Sequence, residues 1–265
     1  MDLATLIGLI IGLFGLIGGF LMEGGHAGML MVETAAVIVF GGTFGATIAS
    51  YPLEDIKKVP YFTKLVFINQ QIDYLGVVDR LVETADKARR EGLLSLESQL
   101  SEIDDEFMSR GLQLVIDGTD PDLTRNMLEM EIEAFESNEM IGSEIYMTMG
   151  GIAPTMGIIG TVMGLVHVLS NVAEPDKLAG AIAVAFLATL YGVASANVLW
   201  IPFGTKLKIK AERQTLLMEM ILEGILSIQA GENPRIIREK LLTFLPPEAK
   251  QRLTEEQAQG EQMRM

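Results

Sequence analysis

Hydroxyl groups and a proline inside apolar segments are the first residues of this sequence that could do chemistry. Pro154 and Thr155 stand early in a charge-free run, Thr161 follows on the same run, and Thr189 lies in the next one. A proline within a helix removes one backbone hydrogen bond and frees a carbonyl. With threonine hydroxyls nearby, such oxygens could line a narrow wet path for a cation. The plainer reading is that each threonine bonds the backbone of its own helix, as threonines in lipid commonly do. On the residues alone both readings stand. None of these runs contains a carboxylate, although ion-conducting membrane proteins usually keep an ionisable group at mid-membrane. Either the chain conducts nothing, or a partner helix brings the carboxylate.

Other chemistry finds no residues to carry it. The sequence has no cysteine, which excludes disulfides, iron–sulfur clusters and thiol catalysis. His26 and His167 are its only histidines, so no metal site is expected within one chain. There is no nucleophile–base pair and no phosphate-binding loop, so neither an enzyme nor a bound cofactor is expected. A formal net charge of −15 would repel phosphates and argues against nucleic acid as a partner.

The elements that must position the hydroxyls are membrane spans. Crossing a bilayer takes roughly 20 apolar residues. Runs free of Asp, Glu, Lys and Arg cover residues 3–22, 34–53, 145–172 and 178–205. The first lacks a basic flank and exceeds a signal-peptide core, so it reads as a permanent span. Lys57, Lys58 and Lys64 follow the second run, and Lys206, Lys208, Lys210 and Arg213 follow the fourth. The short turns within the two pairs hold one basic residue, Lys177. By the positive-inside rule, both termini and the block between the pairs are cytoplasmic. The acidic approach to the third run, without Lys or Arg from residue 126 to 176, is the weaker part of that pattern. The expected fold is an all-α membrane protein: four transmembrane helices with a helical cytoplasmic domain between the second and third. Its divisions are residues 1–53, 54–144, 145–205 and a cytoplasmic tail, 206–265.

Small residues indicate how the spans pack, because they let backbones approach closely in lipid. Gly8, Gly12, Gly15 and Gly19 share one face of the first span. Gly150, Gly157 and Gly164 recur on the third, with Gly160 beside them. The fourth is small on nearly every face, which favours contacts with other chains as well as within this one.

In the cytoplasmic block, residues 72–91 have helical periodicity that stops at Gly92, and residues 93–116 form a second helical pattern containing Gly111. Asp120-Pro121 supplies a cap and a first helical proline, from which the pattern could run unbroken into the third span. After the fourth span, residues 206–230 are amphipathic and end at Gly231. Asn233-Pro234 opens a short helix, Pro246-Pro247 breaks it, and residues 257–265 look disordered.

Several of these segments resemble a known family. The run from Gly151 through Pro154, Thr155, Gly157, Gly160, Thr161 and Gly164 to His167 is similar to the third-span signature of MotA-type flagellar stator subunits. Ala183–Gly192 resembles their fourth span and Ala88–Glu97 their rotor-contacting segment; Tyr51-Pro52, residues 115–118 and residues 223–225 are further likenesses. The resemblance runs in order from Met1 to about Pro247. It implies an uncleaved inner-membrane protein in which five such chains surround two copies of a single-span partner, MotB. An aspartate of that partner would bind and release the ion, and the cytoplasmic ring would turn against the rotor protein FliG. By the same resemblance Arg89 and Glu97 are rotor contacts with Arg90 as helper, Pro154 and Pro202 mark the ends of the ion-coupled helices, and Thr189 faces the partner aspartate. If one helix carried Arg90 and Glu97, they would stand two turns apart on one face.

Two other readings share these spans. The related TolQ/ExbB energisers place one span before their cytoplasmic domain, where this chain has two. A non-conducting scaffold would need no partner carboxylate. On the coupling ion the resemblance divides. Thr161 is like a threonine of sodium-type stators, yet the Pro-Ala-Phe-Gly-Met and Thr-Thr patterns of that type are absent. The expectation is therefore protons, with sodium the alternative.

Overall fold

The computed structural model describes residues 2–69, 72–170, 175–245 and Lys250. The expected Pro246-Pro247 break, the terminal residues 257–265 and residues 171–174, between the third and fourth runs, lie outside the described residues. Among the described residues the secondary structure is helical throughout, with no strand. The helices are α1 (Leu3–Met22), α2 (residues 33–50), α3 (Leu53–Ile56), α4 (Val59–Phe67), α5 (Tyr74–Glu91), α6 (Glu97–Leu100), α7 (Glu106–Ile116), α8 (Pro121–Leu169), α9 (residues 175–229) and α10 (Pro234–Leu241). Four of them are long and apolar enough to cross a membrane: α1, α2, α8 and α9.

Helix starts follow from side-chain caps, which satisfy backbone donors that the first turn leaves unpaired. Asp2 accepts from the Thr5 amide, Asp73 from Gly76, Asp105 from Met108, Asp120 from Asp122 and Asn233 from Arg235. From its Asp120 cap α8 runs 49 residues without interruption through Pro154. α9 likewise continues past the fourth span to Gln229, with one π-turn at Ala196–Trp200. α2 carries a second π-turn at Val37–Gly41.

Two sequence expectations need correction. The second span ends at Ser50, not at residue 53. Tyr51 is extended (φ −126°, ψ 151°), as a residue before proline tends to be, and the chain restarts after Pro52 as the short α3. The pattern at 93–116 is not one helix. Gly92 turns the chain at φ +85°, Leu93–Leu96 form a 3₁₀ turn, α6 lasts four residues, and Asp105 caps a fresh helix, α7. Arg90 and Glu97 therefore belong to different elements and do not share a helical face.

The chain forms two compact units. The first comprises Met1–Asn69 and Asn138–Lys210, the second Gln70–Ser137 and Ala211–Met265. These units are defined by packing, not by the bilayer divisions expected at residues 53, 144 and 205; in the first, α4 packs with the spans. Its Phe62 and Val66 are buried against Ile145, Tyr146, Met149, Phe203 and Leu207. Hydroxyls in this seam find partners: Thr63 with Tyr146 at 2.6 Å, Tyr51 with Thr148 at 2.8 Å, and Ser143 donating to the Gly204 carbonyl at 2.8 Å. In the second unit α5, α7, α10 and the last turns of α9 enclose a dry core around Leu81, Leu112, Met220, Ile221, Ile225 and Ile237.

Candidate ion pathway and contact surfaces

The glycines of the third span serve to bring α8 onto α9. A methyl added at Gly157 would stand 2.7 Å from the Ala188 carbonyl oxygen, and one at Gly164 2.7 Å from the Ala185 methyl. On the other side, a methyl at Gly192 would meet the Ala153 carbonyl oxygen at 2.3 Å and the Pro154 Cα at 3.1 Å. Backbone therefore lies on backbone on both sides of Pro154. Much of the small-residue content of these helices is used within the chain. Ala183, Val184, Phe186 and Leu190 remain exposed.

This close approach sets two of the predicted hydroxyls side by side. Thr161 Oγ1 and Thr189 Oγ1 are 2.6 Å apart, although 28 residues separate them. The Thr161 hydroxyl also lies 3.1 Å from the Gly157 carbonyl and 3.0 Å from the Ala185 carbonyl, and Thr189 lies 3.3 Å from the same Gly157 oxygen. Each hydroxyl carries one proton, so two donors share three acceptor positions in alternative patterns. Both side chains are half-buried. The pair combines the two readings of the sequence: the threonines bond backbone, and they do so across two helices.

Thr155 does not join them. Its hydroxyl donates to the Ile152 carbonyl at 2.7 Å, within its own helix, on an exposed face. Pro154, just before Thr155, lies against Gly192. Pro202 is on another surface, in a groove of about 370 Å³ between α1 and α9 lined by Thr5, Gly8, Gly12, Asn197 and Lys206.

At the foot of that groove, charges tie three segments together. The Lys206 ammonium bonds the Asp2 carboxylate and the Thr5 hydroxyl, and the Asp2 amide donates to the Phe67 carbonyl at 2.8 Å. Lys210 donates to the Leu65 and Ile68 carbonyls, closing the C-terminal end of α4. The hydrogen bond from Lys206 holds the Asp2 carboxyl below the ordinary aspartate value. Burial pushes the Lys210 ammonium below the ordinary lysine value, and the Lys206 charge adds to that. In the sequence these lysines stand out only as topology signals. Asp2 as a helix cap was the one cue to their second use.

Tyr191 was not among the expected residues either. Its hydroxyl accepts from the Val32 amide at 3.0 Å and donates to the Leu30 carbonyl, pinning the turn between α1 and α2 to α9. The single hydroxyl-bearing aromatic of the fourth span, beside Phe186, Trp200 and Phe203, is the available signal.

In the second unit Arg89, Arg90 and Glu97 are all exposed. Arg90 pairs with Asp86 one turn back at 2.7 Å. Gly92 separates the arginines from Glu97. Charge of both signs thus clusters around one sharp turn.

Against known proteins, residues 99–220 match the family described as the MotA/TolQ/ExbB proton channel family, and residues 6–92 match the motility protein A N-terminal family. The chain is 38% identical to motility protein A of Bacillus subtilis over 254 residues, covering 96% of this chain and 93% of that one. It is 36% identical to the chemotaxis protein PomA of Vibrio alginolyticus, covering 92% and 96%. Among solved structures it is similar to the flagellar MotAB stator complex from Bacillus subtilis, with TM-score 0.87, 36% identity and coverage of 94% and 98%. It is also similar to C. jejuni MotAB, with TM-score 0.88, 30% identity and coverage of 93% and 97%.

Proposed function

This chain belongs to the MotA/TolQ/ExbB proton channel family and, within it, to the motility protein A group, and from that premise we propose that it is a torque-generating stator subunit of the bacterial flagellar motor. It works in the cytoplasmic membrane with a MotB-type single-span partner and couples inward ion flow to rotation. The observation that carries this reading is the Thr161–Thr189 hydroxyl pair, held 2.6 Å apart across two spans that contain no carboxylate of their own. Neutral oxygens can line a path for an ion but cannot themselves take up and release a proton at ordinary pH, which calls for an ionisable group. A partner aspartate meeting this pair supplies what the chain lacks.

The finer assignments rest on the same reading. The basic residues after α2 and at the end of the fourth span favour cytoplasmic termini. Five copies would enclose the partner, and Arg89, Arg90 and Glu97 would meet a FliG-type rotor protein. The transported ion is the proton, in keeping with the family's description. Two spans precede the cytoplasmic block, and residues 6–92 match the motility-protein N-terminal family, which favours a stator over a TolQ/ExbB energiser.

Swimming speed at fixed pH and ionic strength, as sodium is replaced by potassium, tests the ion. Speed independent of sodium and abolished by a protonophore is expected; speed that follows sodium overturns the proton. Loss of the partner's aspartate should stop rotation altogether. Motility that survives it would favour a non-conducting scaffold.

A further inference from the structure

The turn that follows α5 presents an apolar side chain to solvent among the charges just described. Gly92 adopts φ +85°, ψ 161°, a conformation open essentially to glycine, and reverses the chain direction there. The next turn is pinned rather than loose. The Ser95 hydroxyl donates to the Gly92 carbonyl at 2.6 Å, the Ser98 hydroxyl to the Ser95 carbonyl at 3.1 Å, and Leu96 is 1% exposed in the core. Leu94, held between these anchors, is 73% exposed, more than any other large apolar side chain described in that unit. Arg89 and Arg90 flank it before the glycine and Glu97 after it, all exposed.

We propose that Leu94 is the apolar anchor of the rotor contact. It enters a hydrophobic socket on a partner surface that carries an acidic group beside Arg89 and a basic group beside Glu97. The proposal rests on the reading of Arg89 and Glu97 as rotor contacts and adds to it. Exposed ion pairs are screened by water and salt and hold little binding free energy, so they steer and orient. A leucine withdrawn from water holds more, and interfaces draw most of their affinity from a few such residues ringed by polar ones. Because the turn is rigid, presenting Leu94 costs little ordering on binding. The surface is suited to a contact that must form quickly, carry load and release.

The test uses the complete stator complex, purified with its partner, and isolated rotor rings as the probe, with binding measured at low and high salt. Leu94→Ser should weaken binding by about tenfold at both salt levels, while Leu94→Met retains it. Arg89→Glu and Glu97→Lys should weaken binding at low salt, with the difference shrinking as salt rises. If both charge reversals bind as the wild type does, the rotor reading itself fails. If they weaken binding and Leu94→Ser does not, the anchor alone fails. A change in the native mass of the Leu94→Ser complex would place the side chain between copies of this chain and overturn the proposal.

Discussion

At the scale of single residues, the Thr161–Thr189 pair separates a role in the ion path from a role in packing. Removing the Thr189 hydroxyl leaves Thr161 two backbone acceptors, Gly157 and Ala185, so no buried donor is stranded. Thr189→Val should therefore cost no more than the roughly 1 kcal/mol of one ordinary hydrogen bond. Its effect on ion flux into vesicles holding the full complex should be larger, about tenfold, equivalent to about 1.4 kcal/mol on the barrier. Thr189→Ser should restore flux. Equal flux in Thr189→Val and wild type would remove the pair from the pathway. Both threonines stood out in the sequence as hydroxyls among apolar neighbours. Their mutual contact did not, because it depends on the register in which α8 meets α9, and that register is set by Gly157, Gly164 and Gly192 acting together.

Glu139 provides a second prediction at this scale. It is half-buried on α8, and burial pushes its carboxyl above the ordinary glutamate value, partly offset by the charge of Lys58. The folded chain therefore holds this proton more tightly than the unfolded one. Glu139 destabilises the fold least below the ordinary glutamate value, and stability is lost as pH rises through the raised one. Glu139→Gln should raise the melting temperature near neutral pH and leave it unchanged in acid. A gain of equal size at both would point to packing instead of charge.

At the scale of elements, the legible parts were those written locally. Asp120 and Asn233 announced helix starts, Gly92 and Gly231 announced stops, and apolar runs announced spans. The second span was read too long because its charge-free run continues past Tyr51-Pro52, where backbone sterics rather than polarity end the helix. Residues 93–105 were misread because their apolar spacing suits a helix, yet Asp105 offers a cap to a new one. The two π-turns had no sequence signature at all. Packing of α8 on α9 makes a clear prediction. Gly192→Ala places a methyl 2.3 Å from the Ala153 carbonyl oxygen, and neither backbone can yield without disturbing Pro154. Overpacking of this kind costs about 1–3 kcal/mol. Thermal unfolding in detergent should show the loss, whereas Gly28→Ala, in the turn between α1 and α2 with nothing within 4 Å, should not. Identical melting of the two variants would refute the backbone contact.

At the scale of the molecule, the free chain is incomplete. α1 buries none of its residues within the chain, and Gly8, Gly15 and Gly19 face open space. Together with the exposed apolar face of α9, this leaves surface for other copies, and we expect a homopentamer that opens or falls apart without its partner. Native mass spectrometry in mild detergent checks this; a stable, well-behaved monomer would contradict it. Sequence composition showed that small residues were plentiful. Only the three-dimensional arrangement separates those consumed inside the chain, on α8, from those left over, on α1.

The absence of Asp, Glu, Lys and Arg from the described spans also has an electrical meaning. Moving one elementary charge across a membrane potential of 100 mV is worth about 2.3 kcal/mol, and voltage sensors work by placing arginines where the field can pull them. This chain offers the field no such handle between Leu3 and Met22, or along the apolar lengths of α2, α8 and α9. It should show no gating current of its own when polarised without its partner. On the proposed reading, the voltage dependence of the assembled motor belongs to the travelling ion and the partner's carboxylate, while these four helices act as an electrically silent frame.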